Sequence, residues 1–151
     1  MTSSNAPTFA IIMLLTGIGI PILAALNGGL GGRLGSPMAA SMILFGLAFL
    51  IATSGALVTG SVGQIRFTND IPFHFYLGGL FVAFYVIAVT FIAPKFGVGN
   101  AIFFVLVGQL ISAAVIDHFA LFGSMRFPVD AKRLAGIALM VAGVYLARRT
   151  G

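Results

Sequence analysis

The chain has 151 residues, of which 60% are hydrophobic and only 7% charged. A water-soluble domain carries roughly 25% charged residues, so this composition cannot cover a water-facing surface and excludes a soluble globular protein. The net charge of +5 does not mark a nucleic-acid binder, because the eight basic residues lie scattered at the ends of apolar runs and form no patch.

A bilayer core of about 30 Å is crossed by roughly 20 helical residues. Lipid offers the backbone no hydrogen-bond partners, so long apolar runs must be helices. The expected fold is all-α and integral to the membrane, a single transmembrane domain over 1–151 with helices at about 9–26, 38–58, 71–93, 98–120 and 132–148. Residues 1–8 lack the basic n-region of a signal peptide and no small-residue cleavage site follows, so the first run reads as a retained helix. There are no cysteines, which excludes disulfides, thiolate metal sites and cysteine nucleophiles.

Helix one carries Thr16-Gly17-Ile18-Gly19-Ile20-Pro21 at mid-span. Two glycines and a proline there either kink the helix and free carbonyls for a ligand, or allow close packing. Asn27 is expected at its end, as a cavity residue or a C-terminal cap. Asn27-Gly28-Gly29 and Gly31-Gly32 read as the following turn, and Ser36-Pro37 as the start of helix two. Ala52-Thr53-Ser54-Gly55 in helix two is only a partial echo of an intramembrane serine-protease motif.

Helix three begins with Pro72 in its first turn, and Pro94-Lys95-Phe96-Gly97 reads as a tight link to helix four. His74 near its start reads as interfacial. Tyr85, with Phe81, Phe84, Phe103 and Phe104, belongs to an aromatic set that either lines a site or packs against lipid. Helix four carries Gln109 near mid-span with Ser112 on about the same face. Such a glutamine bonds a neighbouring helix or lines a cavity. Asp117 and His118 stand near its far end. A carboxylate within a membrane segment costs roughly 2.5–3.5 kcal/mol on insertion scales, so it needs a partner. Asp117 is therefore either an ion-linked or substrate-facing group, the structural partner of Arg126 or Arg133, or a cap tying down the following loop. Thr16, Pro21, Asn27, Tyr85, Gln109, Ser112, Asp117 and His118 are the pathway or gating candidates.

Helix five is the shortest. Fourteen residues separate Arg133 from Arg148, about 21 Å of helix. Flanking Lys and Arg can snorkel to the interface and complete the span; a buried or re-entrant helix is the alternative. Gly136 and Gly143 lie seven residues apart, with Ala138 and Ala142 in small-xxx-small spacing. These four are the dimer-interface candidates, because small residues let helix backbones approach. No catalytic residue, cofactor or metal site is expected, since no His/Asp/Glu cluster has ligand spacing.

With five spans, Arg66, Arg126, Lys132 and Arg133 fall on one side of the membrane, and Arg33, Lys95, Arg148 and Arg149 on the other. Orientation normally follows an excess of basic residues on the cytoplasmic side. Four against four gives no excess, so the chain reads either as inserting in both orientations or as oriented by one local signal. An odd helix count makes opposed copies an inverted pair, a common architecture of secondary transporters with a midplane site between the halves.

Ala24-Ala25-Leu26-Asn27 with Leu34-Gly35-Ser36-Pro37, then Leu77-Gly78-Gly79 and Ala93-Pro94, carry a family resemblance. Gly108-Gln109-Leu110, Ile116-Asp117-His118-Phe119, Leu121-Phe122-Gly123, Arg126, Arg133-Leu134 and Gly143 continue it. From about Leu23 to Leu146 the chain resembles the half-size, five-helix YdcZ-like branch of the drug/metabolite transporter superfamily. The resemblance implies a small bacterial inner-membrane transporter that works as an antiparallel homodimer or as one of an oppositely oriented pair. The helix-five stripe is also similar to the dimer helix of small multidrug resistance proteins. Those proteins use a glutamate in helix one, where this chain has no acid. The expected function is secondary transport of a small molecule by alternating access, with lipid and a second copy as partners. The alternative is a non-transporting scaffold or a subunit of a heteromeric transporter.

Overall fold

The computed structural model describes residues 6–65 and 71–147. Arg66, Arg148 and Arg149 of the charge count lie outside the described residues. Five α-helices follow in order: α1 Ala6–Leu34, α2 Pro37–Val58, α3 Gly78–Phe96, α4 Val98–Phe119 and α5 Ala131–Ala147. Short 3₁₀ turns occupy Ser61–Gln64, Phe73–Leu77 and Leu121–Gly123. Among the described residues, four segments are long and apolar enough to cross a membrane, namely Ala6–Leu34, Pro37–Val58, Phe73–Phe96 and Val98–Phe119. At 17 residues, α5 measures about 25 Å and is shorter than a typical span.

Helix α1 is longer than the 9–26 expected. It runs through the glycines of 28–32, which are helical and do not form a turn. Ala24, Asn27, Gly28 and Gly31 are its buried residues, spaced on one helical face. A Cβ at Gly28 would stand 3.0 Å from Pro94 Cγ, and one at Gly31 3.2 Å from Pro37 Cα and 3.4 Å from Thr90 Cγ2. The glycines therefore form the seam on which α2 and α3 approach α1. Punctuation rules for glycine rest on its cost in helices facing water. Here the missing side chains let backbones pack.

The true turn is shorter and fully bonded. Gly35 takes a left-handed φ of 65°. Its N–H donates to Gly32 O, and the Ser36 N–H donates to Gly31 O. This pair of bonds closes the helix end as a Schellman motif. Ser36 Oγ then accepts from the Ala39 N–H at 3.1 Å, and Pro37 occupies the first helical position. Two helices thus meet across two residues with their terminal polar groups bonded.

Helix α3 also outlasts its expected end. Pro94 and Lys95 are helical, and the link to α4 shrinks to Gly97 at φ 89°. Its expected start at 71 is instead the 3₁₀ turn of Phe73–Leu77, with Pro72 just before it.

The chain divides into two compact units, 1–95 and 96–151. In the first, α1 packs along α2 and bonds α3. In the second, α4 packs on α5. The buried hydrophobic residues are Ala24, Ala40, Val86, Val89, Ala93, Ala101 and Ala114, all small or β-branched. The large side chains Leu, Ile and Phe point outward, as expected of helices whose solvent is lipid.

Candidate functional site

Among the described residues of the first unit, Asn27 and Thr90 form a buried polar pair. Asn27 Nδ2 donates to Thr90 Oγ1 at 2.6 Å, and Thr90 Oγ1 donates to Val86 O at 2.7 Å. Asn27 is 4% exposed and Thr90 1%. Asn27 is thus neither at a helix end nor a C-cap; it ties α1 to α3 inside the seam. It also lines a cleft of about 310 Å³ between α1 and α2, walled by Leu23, Leu26, Leu30, Ile43, Leu44 and Leu47.

Toward the other end of α1, Thr16 is exposed and Pro21 half-buried. Thr16 Oγ1 donates to Ile12 O at 2.9 Å, one turn back, so its hydroxyl is satisfied within its own helix. Pro21 sits within the helix without breaking it. Having no N–H, it leaves the Gly17 carbonyl without its usual helical donor. A Cβ at Gly17 or Gly19 would meet nothing within 4 Å, so neither glycine serves packing inside the protomer.

In α3, Tyr85 is half-buried, and its hydroxyl is buried without a hydrogen-bond partner. On α4, Gln109 and Ser112 are both exposed on the protomer surface. These are polar groups inside a helix long and apolar enough to span the membrane, and lipid cannot bond them.

The far end of α4 is built differently. Arg133 Nη2 donates to Asp117 Oδ2 at 2.6 Å, and Arg133 Nη1 donates to Phe127 O at 3.1 Å. The Phe127 N–H in turn donates to Asp117 O at 3.0 Å. His118 Nδ1 accepts from the Val129 N–H at 3.0 Å, which requires that nitrogen to carry no proton. Ser124 Oγ donates to Ile116 O. Asp130 starts α5 by accepting the Arg133 N–H on Oδ1 at 2.7 Å. The last turn of α4 therefore clasps the connection to α5. That connection contains two non-glycine residues at positive φ, Ala120 and Phe122. Of the two arginines considered for Asp117, the partner is Arg133. His118 also lines an apolar cleft of about 250 Å³ between α4 and α5, with Ile111, Ala114, Val115, Leu134 and Ile137.

On α5, Ala138, Ala142 and Gly143 are exposed and Gly136 is half-buried. No atom lies within 4 Å of a Cβ built at Gly136 or Gly143. The small-residue stripe is thus unused by the described protomer. Among the described residues, no group of three His, Cys, Asp or Glu side chains could hold a metal.

A family model described as "Putative inner membrane exporter, YdcZ" matches residues 8–146. The chain belongs to this YdcZ family. The match reaches from the first turn of α1 to the last turn of α5, so it covers both units. No curated protein and no solved structure matches the chain. As a YdcZ-family member it is a multi-pass inner-membrane protein of the drug/metabolite transporter type. Within this YdcZ chain, sequence reading missed Thr90, a lone hydroxyl in an apolar run. The signal available was its neighbourhood: a buried amide such as Asn27 needs an acceptor at its own depth.

Proposed function

We propose that this YdcZ-family protein exports a small molecule by alternating access, as an antiparallel homodimer of five-span protomers. The exposed Gln109 and Ser112 on α4 carry the reading. A polar side chain at membrane depth is stable against a partner helix or a water-filled path, and costly against lipid. A second copy supplies that partner and turns the exposed face into a lined cavity. The equal count of basic residues on the two sides, four against four for five spans, leaves the chain free to insert both ways. The α5 stripe of Gly136, Ala138, Ala142 and Gly143 offers a second contact between copies.

In this dimer, Gln109 and Ser112 face the substrate path. Within the first unit, the Tyr85 hydroxyl, buried without a hydrogen-bond partner, and the Gly17 carbonyl, which lacks its helical donor because of Pro21, are separate groups that a polar solute can bond. Asn27 lines the α1–α2 cleft but is engaged with Thr90, so its role is to fix the helices that shape the path. Thr16 satisfies itself locally and contributes little. Asp117 and His118 hold the α4–α5 connection, and act as a gate clasp rather than as ligands.

Two measurements test this. Purified protein in liposomes is assayed for movement of a broad metabolite panel, with Gln109→Leu as the comparison. Folded protein that moves nothing, or a Gln109→Leu variant with wild-type rates for every substrate, overturns the transport reading or the α4 path respectively. Orientation is read by placing single cysteines at Ser3 and Thr150, both outside the described residues, in this cysteine-free chain. Intact cells are labelled with an impermeant maleimide, then permeabilised and labelled again. Partial labelling of both termini from outside supports opposed copies. One terminus fully reactive and the other fully protected removes the inverted homodimer, and points to an oppositely oriented partner protein.

A further inference from the structure

The first unit holds a groove of about 310 Å³ where α1 and α3 end and α2 begins. Its floor is Gly28, Gly31 and Gly32, and Phe91, Pro94 and Lys95 form one wall. The Lys95 ammonium lies 3.5 Å from the Phe91 ring centroid, a cation–π distance that holds it at the rim. Arg33, in the last turn of α1, folds back along its own helix, with Nη1 3.6 Å from where a Gly29 Cβ would stand. The chain has three acids, Asp70, Asp117 and Asp130. Asp70 lies outside the described residues and the other two belong to the second unit. Among the described residues of the first unit, therefore, no carboxylate faces these two cations.

We infer that this groove binds an anionic phospholipid, its phosphate on Lys95 and the head of one acyl chain along the glycine floor. Lys95 stands in the last turn of a helix long and apolar enough to cross a membrane, and basic residues at such helix ends reach the headgroup layer. The negative helix ends explain why cations are placed there. They do not explain a mostly apolar slot opening beside the ammonium. A basic pocket between membrane helices is the chemistry that recognises a phosphate headgroup, and the glycines give the chain a place that a free anion would leave empty.

The protein in detergent is titrated with phosphatidylglycerol and bound lipid is counted by native mass spectrometry. Phosphatidylcholine of the same chains and inorganic phosphate are run beside it. One cation near a membrane surface contributes about 1 kcal/mol, so Lys95→Gln weakens phosphatidylglycerol about fivefold, while Lys95→Arg retains it. Gly32→Leu fills the groove and leaves the charges in place. A Cβ at Gly32 meets nothing within 4 Å, so the protein accommodates its first atom. This variant loses phosphatidylglycerol, and phosphatidylcholine binds wild type no better than it binds Lys95→Gln. Equal affinity for the two lipids, or a Lys95→Gln variant unchanged for phosphatidylglycerol, overturns the inference. So does inorganic phosphate that competes at equal concentration, since the site would then be one for a free anion. If Gly32→Leu fails to fold, the Lys95→Gln and Lys95→Arg pair decides alone.

Discussion

Thr90→Val removes one oxygen from the buried polar contact between α1 and α3. Valine keeps the shape, so the loss is confined to the hydroxyl. Two bonds go with it: the one accepted from Asn27 at 2.6 Å and the one donated to Val86 O at 2.7 Å. The Val86 carbonyl keeps its helical donor, because residue 90 still has its N–H. The Asn27 amide loses its acceptor at a site only 4% exposed. An unsatisfied buried group costs about 1–3 kcal/mol in water-soluble proteins. In membranes the pairwise term averages about 0.6 and reaches about 1.7 kcal/mol, because the unfolded helices also find partners. Near-complete burial and the short distance place this pair toward the upper membrane value. Thr90→Val is expected to destabilise by about 1.5 kcal/mol.

Asn27→Ala removes the donor and some packing, and the double variant costs less than the two singles added together by about 1 kcal/mol. Thr90→Ser keeps the hydroxyl and loses only Cγ2, which lies 3.4 Å from the Gly31 Cβ position. It therefore falls between wild type and Thr90→Val. The chain has no tryptophan, so unfolding in mixed micelles is followed by circular dichroism. A Thr90→Val stability indistinguishable from wild type, with strictly additive double-variant values, would refute the claim that this bond joins α1 to α3.

The glycine seam predicts a contrast: Gly31→Ala costs about 1–3 kcal/mol by overpacking against the Pro37 backbone, whereas Gly19→Ala, with open space around it, does not destabilise, as the same micelle unfolding shows. Asp117→Asn weakens the clasp by about 1 kcal/mol, a modest value because both side chains are about a third exposed, at 30% and 32%. Proteolysis of the 120–130 connection should speed up accordingly, and an unchanged cleavage rate would show that the ion pair does not hold it. His118→Phe keeps a ring but removes the acceptor of the Val129 N–H. Hydrogen exchange at Val129 should rise by about tenfold, for a net bond worth about 1 kcal/mol or slightly more.

Apolar run length made the helices legible, because lipid removes every alternative for the backbone. The boundary of α1 was not legible, since Gly28, Gly29, Gly31 and Gly32 look like a turn to any rule calibrated on water-exposed chains. Only the approach of Pro94, Thr90 and Pro37 shows why the residues at 28 and 31 must be small. Ser36-Pro37 was legible for the opposite reason: a capping hydroxyl followed by a proline does the same work in any solvent. Asp117 could be read as needing a cation, but choosing between Arg126 and Arg133 required the fold of the 120–130 connection, which turns on positive φ at Ala120 and Phe122. A mid-span amide such as Gln109 bonds a neighbouring helix or lines a cavity. The protomer leaves it exposed, so the question passes to whatever covers that face.

Helix α5 bears most directly on topology, and its environment argues for a span. An interfacial helix needs a polar face along its length. From Leu134 to Ala147 this helix has no charged residue, and Tyr145 is its only side chain with a polar group. A helix buried in the protein core needs covered residues, and none of the described residues of α5 is buried. Its 17 residues fall about 5 Å short of a core of about 30 Å. Mismatch costs a fraction of a kcal/mol per Å, so the deficit is about 1–2 kcal/mol. Leaving an exposed apolar helix in water costs more, since each fully buried Leu, Ile or Met contributes about 1.5–3 kcal/mol. Spanning is therefore the least costly placement, and Lys132 and Arg133 at its start can reach the interface to shorten the gap. If α5 spans, the outer ends of α1 and α5 lie on opposite sides of the membrane, and this is the arrangement that the single-cysteine labelling reads.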